Sequence, residues 1–534
     1  MNNKSWVKYY PSGATEPLDV SNKKLTELLE NATRKYRDRT ALTSPTGSWT
    51  FERLEAESQL MTELFKSAGV AAGDRVAIYL PNLPEYVATL FATWLAGGIV
   101  VQVNAAYVAA EVVRILEHSG TSLLVTTPEQ MAKLRESGKE IKCAVCLVGD
   151  GAPAVISHAA DDNLSGSDFP DVSSEIAVLQ YTGGTTGLPK AVMLTHENIL
   201  SNIEQRLRLT FKVLEVPPEA KVVNTLPMCH VFGLTCVTLM SVAMGMNQLI
   251  VPRFHSRAVL DLIKETRPFA FFGVPTMYAA FLREPDLESF GLDHVSIFNS
   301  AGAQMPPAHL AQFELRSGSK VLDGFGMSES SPTTHTNPPF LQRRNGSAGI
   351  PVPFTEARIV TTISGELIDV SPGESGELAI KGPQIMKGYW REPGLTAQAL
   401  RDGWLLTGDI AKIDEDGYVY VVGRLKELIV ASGYNIYPAE IERVIGQIEG
   451  VAEVAVIGIP DDYRGETVKA VIVANQGANL DKHFVIERCR AELAPFKVPT
   501  VVEVVAMLPR TAVGKIDKQQ LLTSHTQPNA EISA

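Results

Sequence analysis

The sequence predicts an α/β protein with a large N-terminal domain of doubly wound sheets, a small β unit, and a small C-terminal α+β domain. Three observations carry that reading. The chain has 534 residues, too many for one ordinary hydrophobic core. Helical and strand periods alternate through the first half of the chain and beyond, as they do in layered α/β folds with largely parallel sheets. After about Thr355, Gly365, Gly373, Gly376, Gly382, Gly388, Gly403, Gly408 and Gly417 cut the pattern into short β-rich pieces, which is a different architecture.

The elements follow in order. Leu25 to Tyr36 repeats its apolar positions at helical spacing. Asp74 to Leu80 is a strand stopped by Pro81, and Tyr86 to Ala96 is again helical. Ser122 to Thr126 and Val222 to Leu226 read as strands, Arg257 to Thr266 as a helix, and Ala270 to Gly273 as a strand. The run from Val231 to Val251 is long enough to cross a membrane and carries no charge. Gly233, Gly245, Asn247 and Gln248 interrupt it, so it reads as a buried helix followed by a strand. Glu377 to Ile380 and Tyr418 to Val422 are strands of a small antiparallel unit. Gly423 to Glu427 opens a last segment of roughly a hundred residues, the size of a small domain, with a helix from Pro438 to Ile448. The boundary is set at Arg424 to Lys426, dividing residues 1–425 from 426–534.

Composition excludes several classes. An apolar fraction of 45% with 20% charged residues is that of a soluble globular protein. The net charge of −12 opposes a nucleic-acid partner, which needs a basic face. Five cysteines form no framework, which predicts free thiols in a reducing cytoplasm. Cys143 and Cys146 make a CxxC spacing with no second pair to complete a zinc set. The N-terminal residues are polar and aromatic, without a signal-peptide apolar region.

Chemistry concentrates first in Tyr181 to Lys190, YTGGTTGLPK, with three threonines, three glycines and one lysine. Glycines admit backbone amides to an anion, hydroxyls add donors, and lysine supplies a point charge. The segment reads as a phosphate cradle. It is not a P-loop, because Pro189 stands where that motif needs glycine and Ala191 follows the lysine. Further along come Asp323-Gly-Phe-Gly-Met-Ser-Glu329, Gly376-Glu-Leu378, Gly403-Trp-Leu-Leu-Thr-Gly-Asp409, Gly423-Arg-Leu-Lys-Glu-Leu-Ile429, and Pro509-Arg-Thr511 with Gly514-Lys515. In that order the motifs closely resemble the adenylate-forming superfamily of acyl-CoA synthetases, peptide-synthetase adenylation domains and firefly luciferase.

The resemblance implies a reaction in two halves. A carboxylate attacks the α-phosphate of ATP to give an acyl-adenylate and pyrophosphate; a thiol then takes the acyl group and AMP leaves. Bringing an anion against a polyanion calls for charge neutralisation and positioning. By resemblance, Thr182, Gly183, Gly184, Thr185, Thr186 and Lys190 hold the β- and γ-phosphates. Glu329, with Thr185, organises Mg2+, a cation that prefers oxygen ligands. Phe325 stacks on adenine, and Ala303, Asp323, Gly324 and Ser328 complete the adenine side. Asp323 and Phe325 depart from the family's usual residues. Asp409 accepts from the ribose hydroxyls and Arg424 supplies matching donors.

Lys515 is the implied catalytic cation, bridging carboxylate and α-phosphate oxygens. Lys426 takes the hinge position of a mobile C-terminal domain, whose swap replaces Lys515 with Ser432, Gly433 and Tyr434 along a passage for the CoA thiol. Arg253 matches a basic residue used for the CoA phosphates. His230, in Pro227-Met-Cys-His-Val-Phe-Gly233, positions the acid; Phe232 and Cys236 line the acyl pocket, with Gly302, Ala303 and Gln304 as another wall.

No carrier-like segment follows Lys515. Ile429 to Pro438, Glu329 to Pro338 and Asn82 to Tyr86 look most like bacterial medium- and long-chain fatty-acyl-CoA ligases. The expected partners are a small-molecule carboxylic acid and CoA, with room for peripheral membrane contact. The alternatives are an aryl-CoA ligase for a coumarate- or benzoate-like acid, and a stand-alone adenylation enzyme loading a carrier protein. A non-catalytic adenylate-binding protein would be expected to lack Lys515 or Glu329, and both are present.

Overall fold

Near-continuous apolar strands, buried on both faces, form the centre of two large sheets. In the computed structural model, Arg75–Tyr79 and Ile99–Gln102 are buried at every position. The structure describes residues 4–149, 151–157, 175–182, 190–341, 343–363, 365–371, 373–431, 434–461, 464–475, 477–478, 480–511 and 515–526. The chain divides into two compact units, Met1–Met305 with His309–Glu356 and Lys381–Leu405, and Pro306–Ala308 with Ala357–Ile380 and Leu406–Ala534. Lys426 and Lys515 thus belong to one unit together with Asp409 and Arg424.

The first unit holds both large sheets. One has eight strands, with Ile176–Thr182, Ile99–Gln102, Arg75–Tyr79, Thr121–Thr126 and Ala144–Gly149 running parallel side by side. Lys190–Thr195 and Gly388–Tyr389 extend it antiparallel at one edge. The other has nine strands, with Thr40–Ser44, Asn247–Ile250, Lys221–Asn224, Ala270–Gly273, Ile297–Ser300 and Val321–Gly326 parallel in its middle. Its helices pack an aromatic cluster in which Tyr278, Phe298 and Phe313 meet edge to face, with ring centroids 5.0 and 5.2 Å from Phe313. The helices expected at the N-terminal end appear as Thr26–Tyr36 and Pro84–Leu95, the latter opened by proline at its first turn.

The uncharged run after His230 is a buried helix followed by a strand, as expected, but its first part is a π-helix, Phe232–Leu239. It passes into Met240–Met244 and ends at Gly245 in the left-handed region, φ 68°. Gly233 makes the tight entry possible, because a Cβ there would lie 2.4 Å from the Pro227 carbonyl oxygen. Among the described residues, no helix is long and apolar enough to cross a membrane.

The second unit carries the short β strands Ala357–Ile380 contributes and a five-stranded sheet. In that sheet Val451–Asp461 and Gly465–Ala474 form a long antiparallel hairpin, and Val501–Val505 pairs parallel to it. Helices Pro438–Ile445 and Lys482–Glu492 cover it, burying Ile441, Val444, Ile445, Val485 and Cys489 against Val456, Val468, Ala470 and Ile472. This end of the chain therefore has its own core, as the sequence length there requires.

Two buried imidazoles tie the first unit's stability to pH. His196 opens the helix His196–Arg206 and accepts from the Leu25 N–H through Nδ1 at 3.2 Å; burial pushes it down to about 3. His335, on the strand Thr333–Thr336, is also held down to about 3 by burial. Unfolded imidazoles take up protons below about pH 6.5, whereas these remain neutral until far lower. The unfolded state then binds more protons, so stability is full above about pH 6.5 and falls as pH drops toward 3, by up to ~1.4 kcal/mol per pH unit for each histidine. Urea midpoints measured from pH 7.5 to 4.5 should fall less steeply in His335→Gln than in the parent chain. Equal slopes would rule out His335 as a contributor.

Candidate active site

The two strands that flank the expected phosphate segment are held in antiparallel register. Thr182 and Lys190 are register partners across the two strands, and Thr182 Oγ1 donates to the Lys190 carbonyl at 3.4 Å. Gly183, Gly184, Thr185 and Thr186 lie outside the described residues. Lys190 is exposed and its Nζ stands 5.1 Å from the Tyr389 ring centroid, a cation–π distance. Tyr389 Oη donates to Glu329 Oε1 at 2.8 Å. The phenol is raised far above its ordinary range by burial and by that carboxylate, so it stays protonated and can only donate here. Backbone bonds lock the arrangement: Met386 N–H to the Glu329 carbonyl at 2.9 Å, Lys387 N–H to Met193 at 3.0 Å, and Trp390 N–H to Ala191 at 2.8 Å. Sequence reading missed Tyr389; its only signal was an aromatic after Gly388.

His230 sits on a turn held from two sides. Asn82 Nδ2 donates to the Leu226 carbonyl at 2.9 Å, and Met228 N–H donates to Asn82 Oδ1 at 3.0 Å. Gln180 Nε2 donates to the Cys229 carbonyl at 2.8 Å, which ties the end of the phosphate strand to this turn. His230 Nδ1 accepts from the Phe232 N–H at 3.2 Å. A neutral imidazole that accepts at Nδ1 carries its proton on Nε2 and presents a donor there. Phe232 and Cys236 are buried one turn apart on the π-helix. Phe232 meets Phe272 edge to face at 6.2 Å, and Cys236 Sγ lies 3.5 Å from Thr333 Oγ1. Asn202 grips Thr333 in turn, donating to its carbonyl at 2.7 Å and accepting its N–H at 3.0 Å. Gly302, in the left-handed region at φ 85°, and the exposed Ala303 and Gln304 form a loop after the strand Ile297–Ser300.

Phe325 and Asp323 share the strand Val321–Gly326 with Gly324. Phe325 is half-buried, its ring 6.0 Å from that of His335. Burial lifts the Asp323 carboxyl to about 6; Arg343 opposes the rise and Glu314 adds to it. Its backbone carbonyl accepts from the Asn337 N–H and Nδ2, each at 3.1 Å, which anchors the main chain at this position. Ser328 opens the short helical turn that carries Glu329. Arg253 is exposed on the bend after Asn247–Ile250.

The second unit brings three expected residues together. Asp409 and Arg424 face each other across antiparallel strands, Arg424 Nε lying 2.8 Å from Asp409 Oδ1. Gly408, in the left-handed region at φ 69°, turns its N–H to Glu377 Oε1 at 2.9 Å. Thr407 Oγ1 donates to the Leu378 carbonyl at 2.8 Å and accepts the Asp409 N–H at 3.1 Å. The Lys515 loop is closed by Thr511 N–H on the Lys515 carbonyl at 2.8 Å, and by Arg510 pairing with Ile516. Lys515 is exposed as a residue, yet its ammonium is poorly solvated. That desolvation and neighbouring Arg424 lower its pKa, against the pull of Asp409. Lys426 is exposed on the turn Leu425–Glu427. Tyr434 begins a strand paired with Ala431, while Ser432 and Gly433 lie outside the described residues.

Within the first unit, Lys190, Tyr389 and Glu329 fit a phosphate group with Mg2+. Glu329 offers a hard carboxylate oriented by Tyr389, and one carboxylate suits a cation that takes its other ligands from phosphates and water. Among the described residues no cluster of three His, Cys, Asp or Glu side chains could hold a metal.

Residues 29–390 match the AMP-binding enzyme family, and residues 440–515 match the AMP-binding enzyme C-terminal domain. A long-chain-fatty-acid–CoA ligase of Bacillus subtilis (strain 168) is 36% identical over 555 residues, covering 98% of each chain. A feruloyl-CoA synthase of an Amycolatopsis species is 37% identical over 475 residues, covering 88% of this chain and 93% of its own. The crystal structure of ATP-bound MatB from Rhodopseudomonas palustris superposes with a TM-score of 0.82 at 30% identity, covering 94% of this chain and 99% of its own. AMP-forming CoA ligases use ATP, Mg2+ and CoA. With both family segments matched in order across a fold of this kind, the chain belongs to the AMP-binding enzyme family and is an AMP-forming acid–thiol ligase.

Proposed function

We propose that this protein is an ATP-dependent acyl-CoA synthetase that activates a medium- or long-chain fatty acid as acyl-AMP and passes the acyl group to CoA. The observation that carries the proposal is the Lys190–Tyr389–Glu329 grouping beside a histidine turn that leads into an apolar wall of Phe232, Phe272 and Cys236. The names borne by the relatives support both halves, fatty acid and CoA.

The residues divide the work by charge. Thr182, the threonines and glycines that follow it, and Lys190 steady the leaving pyrophosphate. Glu329, oriented by Tyr389, would hold Mg2+, which supplies charge neutralisation on the phosphate oxygens when bound. Phe325 stacks on adenine, with Ala303, Asp323, Gly324 and Ser328 around it. Asp409, oriented by Arg424, accepts from the ribose hydroxyls. His230 donates from Nε2 to the incoming carboxylate. Lys515 bridges the carboxylate and α-phosphate oxygens; desolvation of its ammonium beside Arg424 lowers its pKa, and arriving anions would oppose that lowering. Lys426 serves as the pivot, and Ser432, Gly433, Tyr434 and Arg253 serve the CoA half-reaction.

The aryl-acid reading draws on one specific observation. The edge-to-face Phe232–Phe272 pair offers an aromatic slot, and a feruloyl-CoA synthase is among the relatives. AMP release measured with CoA across fatty, cinnamic and benzoic acids separates the two. Fatty acids should give the highest kcat/KM, and a consistent advantage for aryl acids would overturn the assignment.

Two substitutions test the machinery. Lys515→Ala should slow ATP–pyrophosphate exchange by about a hundredfold or more, the scale of removing one preorganised stabiliser. Thioester formation from supplied acyl-adenylate should largely survive; an equal fall in both halves would defeat the division of roles. Tyr389→Phe removes a hydrogen bond to a charged group, and the Mg2+ concentration for half-maximal exchange should rise about tenfold. An unchanged Mg2+ dependence would remove Tyr389 from the proposal.

A further inference from the structure

Three arginines of the first unit are buried, and two of them have obvious reasons to be. Arg75, 1% exposed, donates to the carbonyls of Ser119, Gly73 and Gly120. Arg208, 8% exposed, reaches the carbonyls of Glu16 and Pro17 and the carboxylate of Glu204. Arg206, 6% exposed, differs: among the described residues its guanidinium makes no hydrogen bond and no ion pair. Its contact is with a ring face, Cζ lying 5.4 Å from the Phe272 centroid. A guanidinium has five N–H donors and stays charged, so a ring face leaves those donors without a protein acceptor, although its nitrogens are not sealed from water. Burying it that way is costly unless an acceptor completes it.

Helix polarity does not account for the position. The helix His196–Arg206 runs on through the π-turn Leu207–Phe211, and the Leu207 carbonyl is taken by the Lys212 N–H at 2.8 Å. Nearby polar side chains are engaged elsewhere. Glu204 pairs with Arg208, and Gln205 binds Gln384 at 3.0 Å.

Its location supplies the acceptor. Phe272, beneath Arg206, meets Phe232 edge to face, and the Phe232 N–H is bonded to His230. One turn before Arg206, Asn202 grips Thr333, which touches Cys236 on the π-helix. A chain of contacts therefore runs from the imidazole assigned to the substrate carboxylate, along the apolar wall, to a cation with no protein hydrogen-bond acceptor among the described residues.

We propose that Arg206 is a specificity-determining residue that receives a hydrogen-bond-accepting oxygen at the far end of the acyl chain. The acid selected is an oxygenated one, bearing a hydroxyl, a keto group or a second carboxylate distal to the carboxylate that is activated. This rests on the acyl-CoA synthetase reading and refines its substrate class.

The experiment pairs each plain fatty acid, from hexanoate to hexadecanoate, with its ω-hydroxy, ω-oxo and ω-carboxy counterparts. Each pair is followed by AMP release with ATP and CoA and, independently, by calorimetric binding of the acid alone. At the length that spans the wall, the oxygenated acid should show about tenfold higher kcat/KM and correspondingly tighter binding than its plain partner, the scale set by a hydrogen bond to a charged group. Arg206→Met should abolish that advantage while plain acids keep or gain activity; Arg206→Lys should retain part of it. A plain acid preferred at every length by both readouts, or an Arg206→Met chain with an unchanged ratio, overturns the proposal. If no acid of the panel supports AMP release, the synthetase reading fails instead, and the binding ratio still decides the role of Arg206.

Discussion

The antiparallel edge formed by Lys190–Thr195 and Gly388–Tyr389 is the constraint on which the Lys190–Tyr389–Glu329 grouping of the first unit depends. Without it, three charged or polar side chains from distant parts of the chain would have no common position. The ladder fixes Tyr389 opposite Val192, two residues from Lys190, so that the ring can receive the ammonium on its face and offer its hydroxyl to Glu329. Glu329 is brought in by a backbone bond to Met386 N–H rather than by its own side chain. Side-chain chemistry here is arranged by main-chain hydrogen bonds, which are directional and cost little rotamer entropy. A carboxylate proposed to hold magnesium would need that arrangement, because its geometry must exist before a polyanion arrives.

The same logic places the second constellation. Asp409 and Arg424 meet because a strand pair puts them in register, and Gly408 bends the chain where an L side chain would be strained. Thr407 and Glu377 then occupy the backbone groups that the bend exposes. The ion pair is asymmetric, with the aspartate buried and the arginine half-exposed. The guanidinium holds the buried carboxylate in one orientation, as the role proposed for Asp409 on a diol requires. Lys515 shares that electrostatic neighbourhood, and its lowered pKa reflects a cation placed close to another cation without full solvation.

Much of the fold was legible because burial imposes period. Strands such as Ala270–Gly273 and helices such as Thr26–Tyr36 were found within a residue or two of their observed ends. The candidate site was legible only in part. Glu329, Asp409 and Lys515 stood out through the order of motifs, not through any local pattern. Tyr389 was missed because its bond to Glu329 spans 60 residues of sequence, and no periodicity records such a pairing. The π-helical character of Phe232–Leu239 was also hidden; it follows from the backbone contact at Gly233 with Pro227. Arg206 was missed for a different reason. Glu204-Gln205-Arg206-Leu207-Arg208 reads as the solvated face of a helix, yet both arginines are buried.

That burial bears on how an enzyme of this kind discriminates among acids. An apolar wall sorts chains weakly, since a methylene gained or lost is worth only about 1–3 kcal/mol, and such a wall rejects an added hydroxyl poorly. A buried polar group discriminates far more sharply, because the wrong ligand leaves it desolvated and unpaired. Phe232, Phe272 and Cys236 alone would make a permissive channel. Arg206 at the end of that wall changes its character, since a chain terminating in a methyl group would displace water from the guanidinium without replacing its hydrogen bonds. The roles proposed for His230 and for Lys515 are directed at the activated carboxylate, a group that every acid carries. On the role proposed for Arg206, selectivity comes from the opposite end, where one cation distinguishes an oxygen from a methyl group.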